Sequence, residues 1–412
     1  MRARTLTVFA SVAALTLAFT PSCSSAPPPD PCAGIAVDDF KELMIVDDSV
    51  VSDARTKNAS DGPWSFRHVI ESLAPPNMDP GEFVRKWFLE WVTTTTFNGY
   101  KLYTADETAT SRLDTMNSEV LCPWMQRTAG NNCDVDCTNC DTNPPKLDLA
   151  QAPFRPIAIV NRMDLRGQPD LGVSGESRII FNMVAGAGDD STANPMPLTM
   201  IFEYGLPTTS STQDWARAWH ALGAYPTMDD SFKTALATFT ERWIGGGAVP
   251  EKQNASALSQ VRTNESALFW VWQERQFELG TDGSLHVAGL RNTPPDALNE
   301  TNLVGTYILD NSQVILSQDY AMPKSLVGGS SSAQLFSWAF PNVTDETLRR
   351  TFSINTCNGC HTQEERVDTA FHVSPFRDGP ARLSTFVYNK LDRSKDQLTI
   401  REQSLRDALC GK

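Results

Sequence analysis

A chain of 412 residues with 41% hydrophobic and 20% charged side chains carries enough apolar surface for a buried core, which excludes general disorder. Its formal charge of −14 disfavours nucleic acid and anionic lipid surfaces as partners. The length suits roughly two or three domains, or one large elaborated one.

The N-terminus reads as an export signal. Arg2 and Arg4 supply a positive start, and the apolar stretch over residues 6–19 is too short to span a bilayer. Cys23 follows directly. A Cys just after such a stretch resembles a bacterial lipoprotein signal, which implies that Cys23 is lipidated and anchors the chain to a membrane. Thr20 and Pro21 depart from that pattern, and cleavage to a soluble periplasmic form is the alternative. Residues 24–31, with Pro27, Pro28 and Pro29 in a row, read as an extended tether.

Cysteine usage agrees with export. Of nine Cys, setting aside Cys23, Cys357 and Cys360 leaves Cys32, Cys122, Cys133, Cys137, Cys140 and Cys410, an even set suited to disulfides. The Cys133, Cys137 and Cys140 cluster also has zinc-like spacing, but it lacks a second paired Cys motif or a nearby His. Residues 32–150 form one region, mainly helical. Within it, Phe83, Val84, Trp87, Phe88 and Trp91 recur at helical spacing over 81–93, and 121–150 is a Cys-rich loop.

From 151 to 320 the pattern changes to an α+β unit. The β-rich runs 156–160, 178–183 and 198–204 are separated by Gly, Asp and Pro clusters. No helix-length crossover lies between them, so the sheet is expected to be mainly antiparallel. Helices are expected over 213–222, 231–244 and 256–268. The second half of 268–279, with 285–287, is a candidate hairpin. Arg162, Asp164, Arg166, Glu203, His220, Arg262 and Glu265 form a polar set. It reads either as an acid/base site or as buried ion pairs holding the sheet to its helices.

Residues 321–412 read as a helical unit. Helices are expected over 345–355 with Thr344 or Asp345 as cap, and over 379–391 with Leu383, Phe386, Val387 and Leu391 on one stripe. A last helix is expected to open on a capping box at Ser394–Gln397, with Leu398, Leu405 and Leu409 inward. Between them stands Cys357-Asn358-Gly359-Cys360-His361. Two thiols two residues apart, followed at once by an imidazole, form the pattern for covalent attachment of haem c. Cys357 and Cys360 would each hold one vinyl-derived carbon, and His361 would be the proximal iron ligand. A plain disulfide or a metal site are the other readings of the spacing.

A helix running into this motif, with helices after it, resembles the c-type cytochrome arrangement over roughly residues 320–412, specifically only at the motif. That family implies an electron-transfer role. It usually takes an axial Met downstream, and none follows Met322 here. His372 is the nearest imidazole and the candidate second ligand, with Met322 or an open iron face as alternatives. The stretches 152–166, 202–207 and 355–361 also resemble uncharacterised exported bacterial proteins, which gives no activity. The sequence therefore points to a haem-carrying redox protein of the cell envelope, periplasmic or on the outer membrane, acting with an unnamed redox partner. A non-catalytic disulfide-bonded surface lipoprotein is the competing expectation. Gly-rich phosphate loops, nucleophile elbows and His-Glu-x-x-His motifs are absent from the sequence.

Overall fold

The computed structural model describes residues 34–102, 109–129, 146–168, 174–268, 272–318, 320–332, 337–361, 371–377 and 380–412. The signal segment with Cys23, the tether, and Cys32, Cys133, Cys137 and Cys140 lie outside these residues. The strands in chain order are β1 Met44–Ile45, β2 Thr96–Phe97, β3 Tyr100–Lys101, β4 Phe154–Arg162, β5 Glu176–Ala185, β6 Asn194–Gly205, β7 Leu258–Asn264, β8 Gln273–Leu279, β9 Leu285–Ala288 and β10 Ser330–Ser332. The α-helices are α1 Asp48–Val51, α2 Phe66–Leu73, α3 Pro80–Thr93, α4 Ala109–Met116, α5 Cys122–Ala129, α6 Thr212–His220, α7 Asp230–Ile244, α8 Asn302–Asp310, α9 Ser312–Leu316, α10 Glu346–Ile354, α11 Cys357–Cys360 and α12 Gln397–Leu409.

Eight strands form one sheet in the order β1-β4-β5-β6-β7-β8-β10, with β9 also paired to β8. Every pairing in it is antiparallel. The fold is α+β, as the β-rich runs and their short connections imply.

Alternation along the strands gives the sheet two unlike faces. On one, Phe181, Phe202 and Phe277 meet Phe66 of α2 and Trp87 and Trp91 of α3 in edge and stacked contacts. Asp79 caps α3 by accepting from Glu82 N, Pro80 opens it, and Phe83, Val84, Trp87, Phe88 and Trp91 are all buried. Sequence spacing and packing agree there, because a 3.6-residue repeat sets those rings on one stripe. Trp243 of α7 extends the layer over Tyr204.

A second hydrophobic cluster, from Leu298 to Phe352, lies apart from this core. It joins α8, α9 and α10 around Trp338, Phe340 and Phe352. Met322 is buried in this cluster, and its backbone N–H donates to Asn292 Oδ1 at 2.9 Å. No described helix is long and apolar enough to cross a membrane.

Several sequence expectations need correction. Residues 122–129 are the helix α5, so the Cys-rich segment is not loop from its start. Residues 258–264 are strand β7, not helix, paired on both edges by β6 and β8. Residues 380–391 hold no α-helix, and Leu383 instead bridges Val373. Leu391, expected inward, is 98% exposed. The last helix starts two residues later than a Ser394 cap requires, because Asp396 is its N-cap and accepts from Thr399 N. Leu398 and Leu405 do face inward.

Candidate functional site

The opposite face of the sheet is laid with alternating charges. Arg162 binds Asp164 through both carboxylate oxygens, Nε to Oδ1 at 2.9 Å and Nη2 to Oδ2 at 2.9 Å. On β5, Arg178 donates to Glu176 at 2.8 Å and reaches Glu203 of β6 at 3.3 Å. Arg262 of β7 donates to Glu203 and, at 3.3 Å, to Glu274 of β8. The register explains the ladder, since Arg178 faces Glu203 and residues two apart share a face. Burial works against the charge on Glu203, but Arg178 and Arg262 outweigh it and hold its pKa below the usual carboxylate range.

The ladder ends under the Cys-x-x-Cys-His motif. The Glu274 carboxylate is close enough for its charge to act on the Cys357 thiol. Thr293 Oγ1 lies 3.3 Å from the same sulfur and accepts from Cys357 N at 2.9 Å. Burial, then the Glu274 carboxylate, pushes the Cys357 thiol well above its ordinary pKa. Trp272 and Phe371 pack against Cys357 in a small apolar cluster.

The motif itself is a one-turn helix. Thr356 caps it, accepting from Gly359 N at 3.1 Å. Trp338 Nε1 donates to Thr356 Oγ1 at 2.9 Å and to Asn358 Oδ1 at 2.7 Å, tying the turn to the second cluster. Gly359 passes so close to α10 that a Cβ would sit 1.9 Å from Ser353 O. Only glycine fits that approach.

His361 stacks on Trp272, with ring centroids 4.2 Å apart at 25°. His372 lies on its other side, centroids 4.3 Å apart. Ser384 Oγ is 3.0 Å from His372 Nδ1, which leaves Nε2 turned toward Cys360 Sγ at 3.6 Å. Burial, then the charges of His361 and Arg401, pull His372 well below the usual imidazole pKa, so it is neutral with a lone pair to offer. The two imidazoles are in contact. For His372 to serve the opposite face of a metal bound by His361, one of them must move away.

Cys357 and Cys360 are both thiols, with no disulfide between them. Cys122 and Cys410, by contrast, each take part in a disulfide. The donor set therefore fits haem c: two thiols at the attachment spacing, an adjoining imidazole, and a glycine where the backbone is crowded. Among the described residues no group of three or more His, Cys, Asp or Glu converges on a metal-sized site.

Of the polar set read from the sequence, Arg162, Asp164, Glu203 and Arg262 share the ladder. His220 does not, because its Nδ1 pairs with Glu42 Oε2 at 2.8 Å. Glu265 lies on the aromatic face with Arg112 and Arg275. Arg166 fixes the last helix through Ser404 and donates to Met163 O at 3.3 Å. Sequence reasoning missed Trp272, Glu274, Thr293, Ser384 and Arg401. They come from separate elements, and only the fold gathers them. No family model, curated protein or solved structure matches the chain.

Proposed function

We propose that this is an exported protein carrying one covalently attached haem c, serving electron transfer or haem redox chemistry at the cell envelope, with Cys23 as its lipid anchor. The observation that carries the reading is the motif's own setting: two thiols without a disulfide on a glycine-pinched turn, with His361 held between Trp272 and a second, neutral imidazole. Cys357 and Cys360 would hold the group by thioether bonds, with His361 as its proximal nitrogen ligand and His372 as the second nitrogen within reach. Once bound, haem supplies one-electron iron chemistry. The protein's part is to orient and enclose. Trp272 fixes the plane of His361, Ser384 sets which His372 nitrogen faces inward, and the buried ladder gives the site a charged floor shielded from water.

Expression of the full chain with a c-type maturation system tests this. Haem should stain on a denaturing gel and resist acidified acetone. Extractable haem, or none in a correctly matured preparation, overturns the reading, and a Cys357–Cys360 disulfide would then favour a non-catalytic surface lipoprotein. For the anchor, Cys23→Ala should release the protein from membranes or stall processing; unchanged fractionation and mass remove it.

A further inference from the structure

The charge ladder leaves one guanidinium out. Arg162, Arg178 and Arg262 each hold a carboxylate. Arg401 does not. It projects from α12 one turn before Ser404, whose hydroxyl donates to Met163 O at 3.3 Å, so this part of the helix lies over the end of β4. Only 7% of Arg401 is exposed, and its Nε and Nη1 are buried without a hydrogen-bond partner.

The carboxylates whose charge reaches it are Asp164 and Asp396. Both are committed. Asp164 gives both oxygens to Arg162, while Asp396 caps α12 and pairs with Arg393 at 2.8 Å. Burial, then the like charge of Arg162, pushes Arg401 down to about 9, which still leaves it charged at neutral pH. A buried cation with idle donors is strongly unfavourable, so a protein that keeps one gains something from it. Its position says what. After His361, Arg401 is the leading charge acting on His372. His372 also stacks on Phe386, ring centroids 4.9 Å apart, and the Phe386 carbonyl accepts from Gln397 N at the start of α12. The helix that carries the idle fork one turn further on therefore packs against the imidazole pair of the motif.

We propose that Arg401 is the receptor for a carboxylate that docks beside His361 and His372. The planar guanidinium matches two carboxylate oxygens at once, and the neighbouring cations Arg162 and Arg178 add to its pull. Under the haem reading, on which this placement rests, the carboxylate is a propionate of the bound group. A free small carboxylate entering the site presents the same chemistry.

The test uses the full chain in haem-free and haem-loaded form, with Arg401→Met and Arg401→Lys. In haem-free wild type the receptor is open, so acetate should raise the melting temperature above that in equal sodium chloride. Arg401→Met should melt higher than wild type and lose the acetate effect, while Arg401→Lys keeps part of it. In the loaded form the two sources separate. A propionate on Arg401 makes the wild-type potential insensitive to acetate and lowers it in Arg401→Met. A free carboxylate leaves an acetate-dependent shift of the absorption spectrum that Arg401→Met abolishes. An acetate response absent from haem-free wild type, together with an unchanged potential in loaded Arg401→Met, overturns the proposal. If maturation yields no covalent haem, the haem reading fails by itself, and the acetate titration still decides on Arg401. Should Arg401→Met not fold, the wild-type titration and Arg401→Lys carry the test.

Discussion

The two faces of one sheet are built on opposite principles. On the first, Phe181, Phe202 and Phe277 close against Trp87 and Trp91 in apolar packing without direction, with one buried ion cluster, Glu265 between Arg112 and Arg275, set among them. On the second, Arg178, Glu203 and Glu274 are buried, Arg262 is partly buried between the two carboxylates, and paired charges hold them. Burying ions costs several kcal/mol each before pairing, and close pairing offsets much of that without exceeding what an apolar layer would give. The first face accounts for why the protein folds. The second is better explained by what rests on it, since the ladder runs from Arg162 at the end of β4 to Glu274, whose charge acts on the sulfur of Cys357.

The largest effects test that contrast directly. Phe202→Ala should cost about 3–5 kcal/mol in urea denaturation, as transfer and cavity terms add. Glu203→Gln should cost about as much, because Arg178 and Arg262 lose their common partner. The faces separate in the next variant. Arg178→Met, Glu203→Leu and Arg262→Met together should give a protein at least as stable as wild type. Glu176 and Glu274, whose pKa values burial already raises, would take up protons when their arginines go. If the triple variant unfolds as readily as Glu203→Gln, the ladder is a stability device and the contrast fails.

A smaller effect is expected where the motif meets α10. Gly359→Ala drives a Cβ onto Ser353 O, and overpacking of this kind costs about 1–3 kcal/mol. The strain falls between the thiols and the second cluster rather than in the sheet. Haem attachment per mole of folded protein should therefore drop, while the tryptophan fluorescence of the aromatic core is retained. Equal attachment in variant and wild type would show that the turn tolerates displacement.

What the sequence disclosed follows the same division. The aromatic stripe on α3 and the runs in β4, β5 and β6 announce themselves, because apolar periodicity is the signal that single-sequence reading detects. Strand β7 was hidden by its function. Gln260, Arg262 and Asn264 point to the charged face, so a strand buried on both sides shows polar residues where apolar ones are expected. The stripe over 379–391 misled for the converse reason. Its spacing fits a helix, but the backbone instead pairs Val373 with Leu383, and the carbonyl of His372 accepts from Ser384 N. The thiols and His361 were legible because their spacing is local. Trp272, Glu274, Thr293, Ser384 and Arg401 were not, since no short-range pattern links residues brought together by long-range packing.

The mildest prediction returns to the helices over the aromatic face, where one ion pair links two helices instead of joining a ladder. His68 of α2 lies 2.8 Å from Glu241 of α7 through Nε2. The hydrogen bond to Glu241 raises its pKa, against an opposing effect of burial. A raised folded-state pKa means that the folded protein holds the proton more tightly than the unfolded chain. The stabilisation is complete below the unfolded value near 6.5 and disappears as pH rises through the higher folded value. Glu241 is half exposed, so solvent screening limits the gain to about 0.5–1 kcal/mol. His68→Gln should remove this slope from the stability–pH curve just above pH 6.5 and leave the acid limb unchanged. The slope should also weaken with added salt, as the buried ladder's contribution should not. A wild-type curve that is flat in that window, or a slope that persists in His68→Gln, would separate the pair from any role in stability.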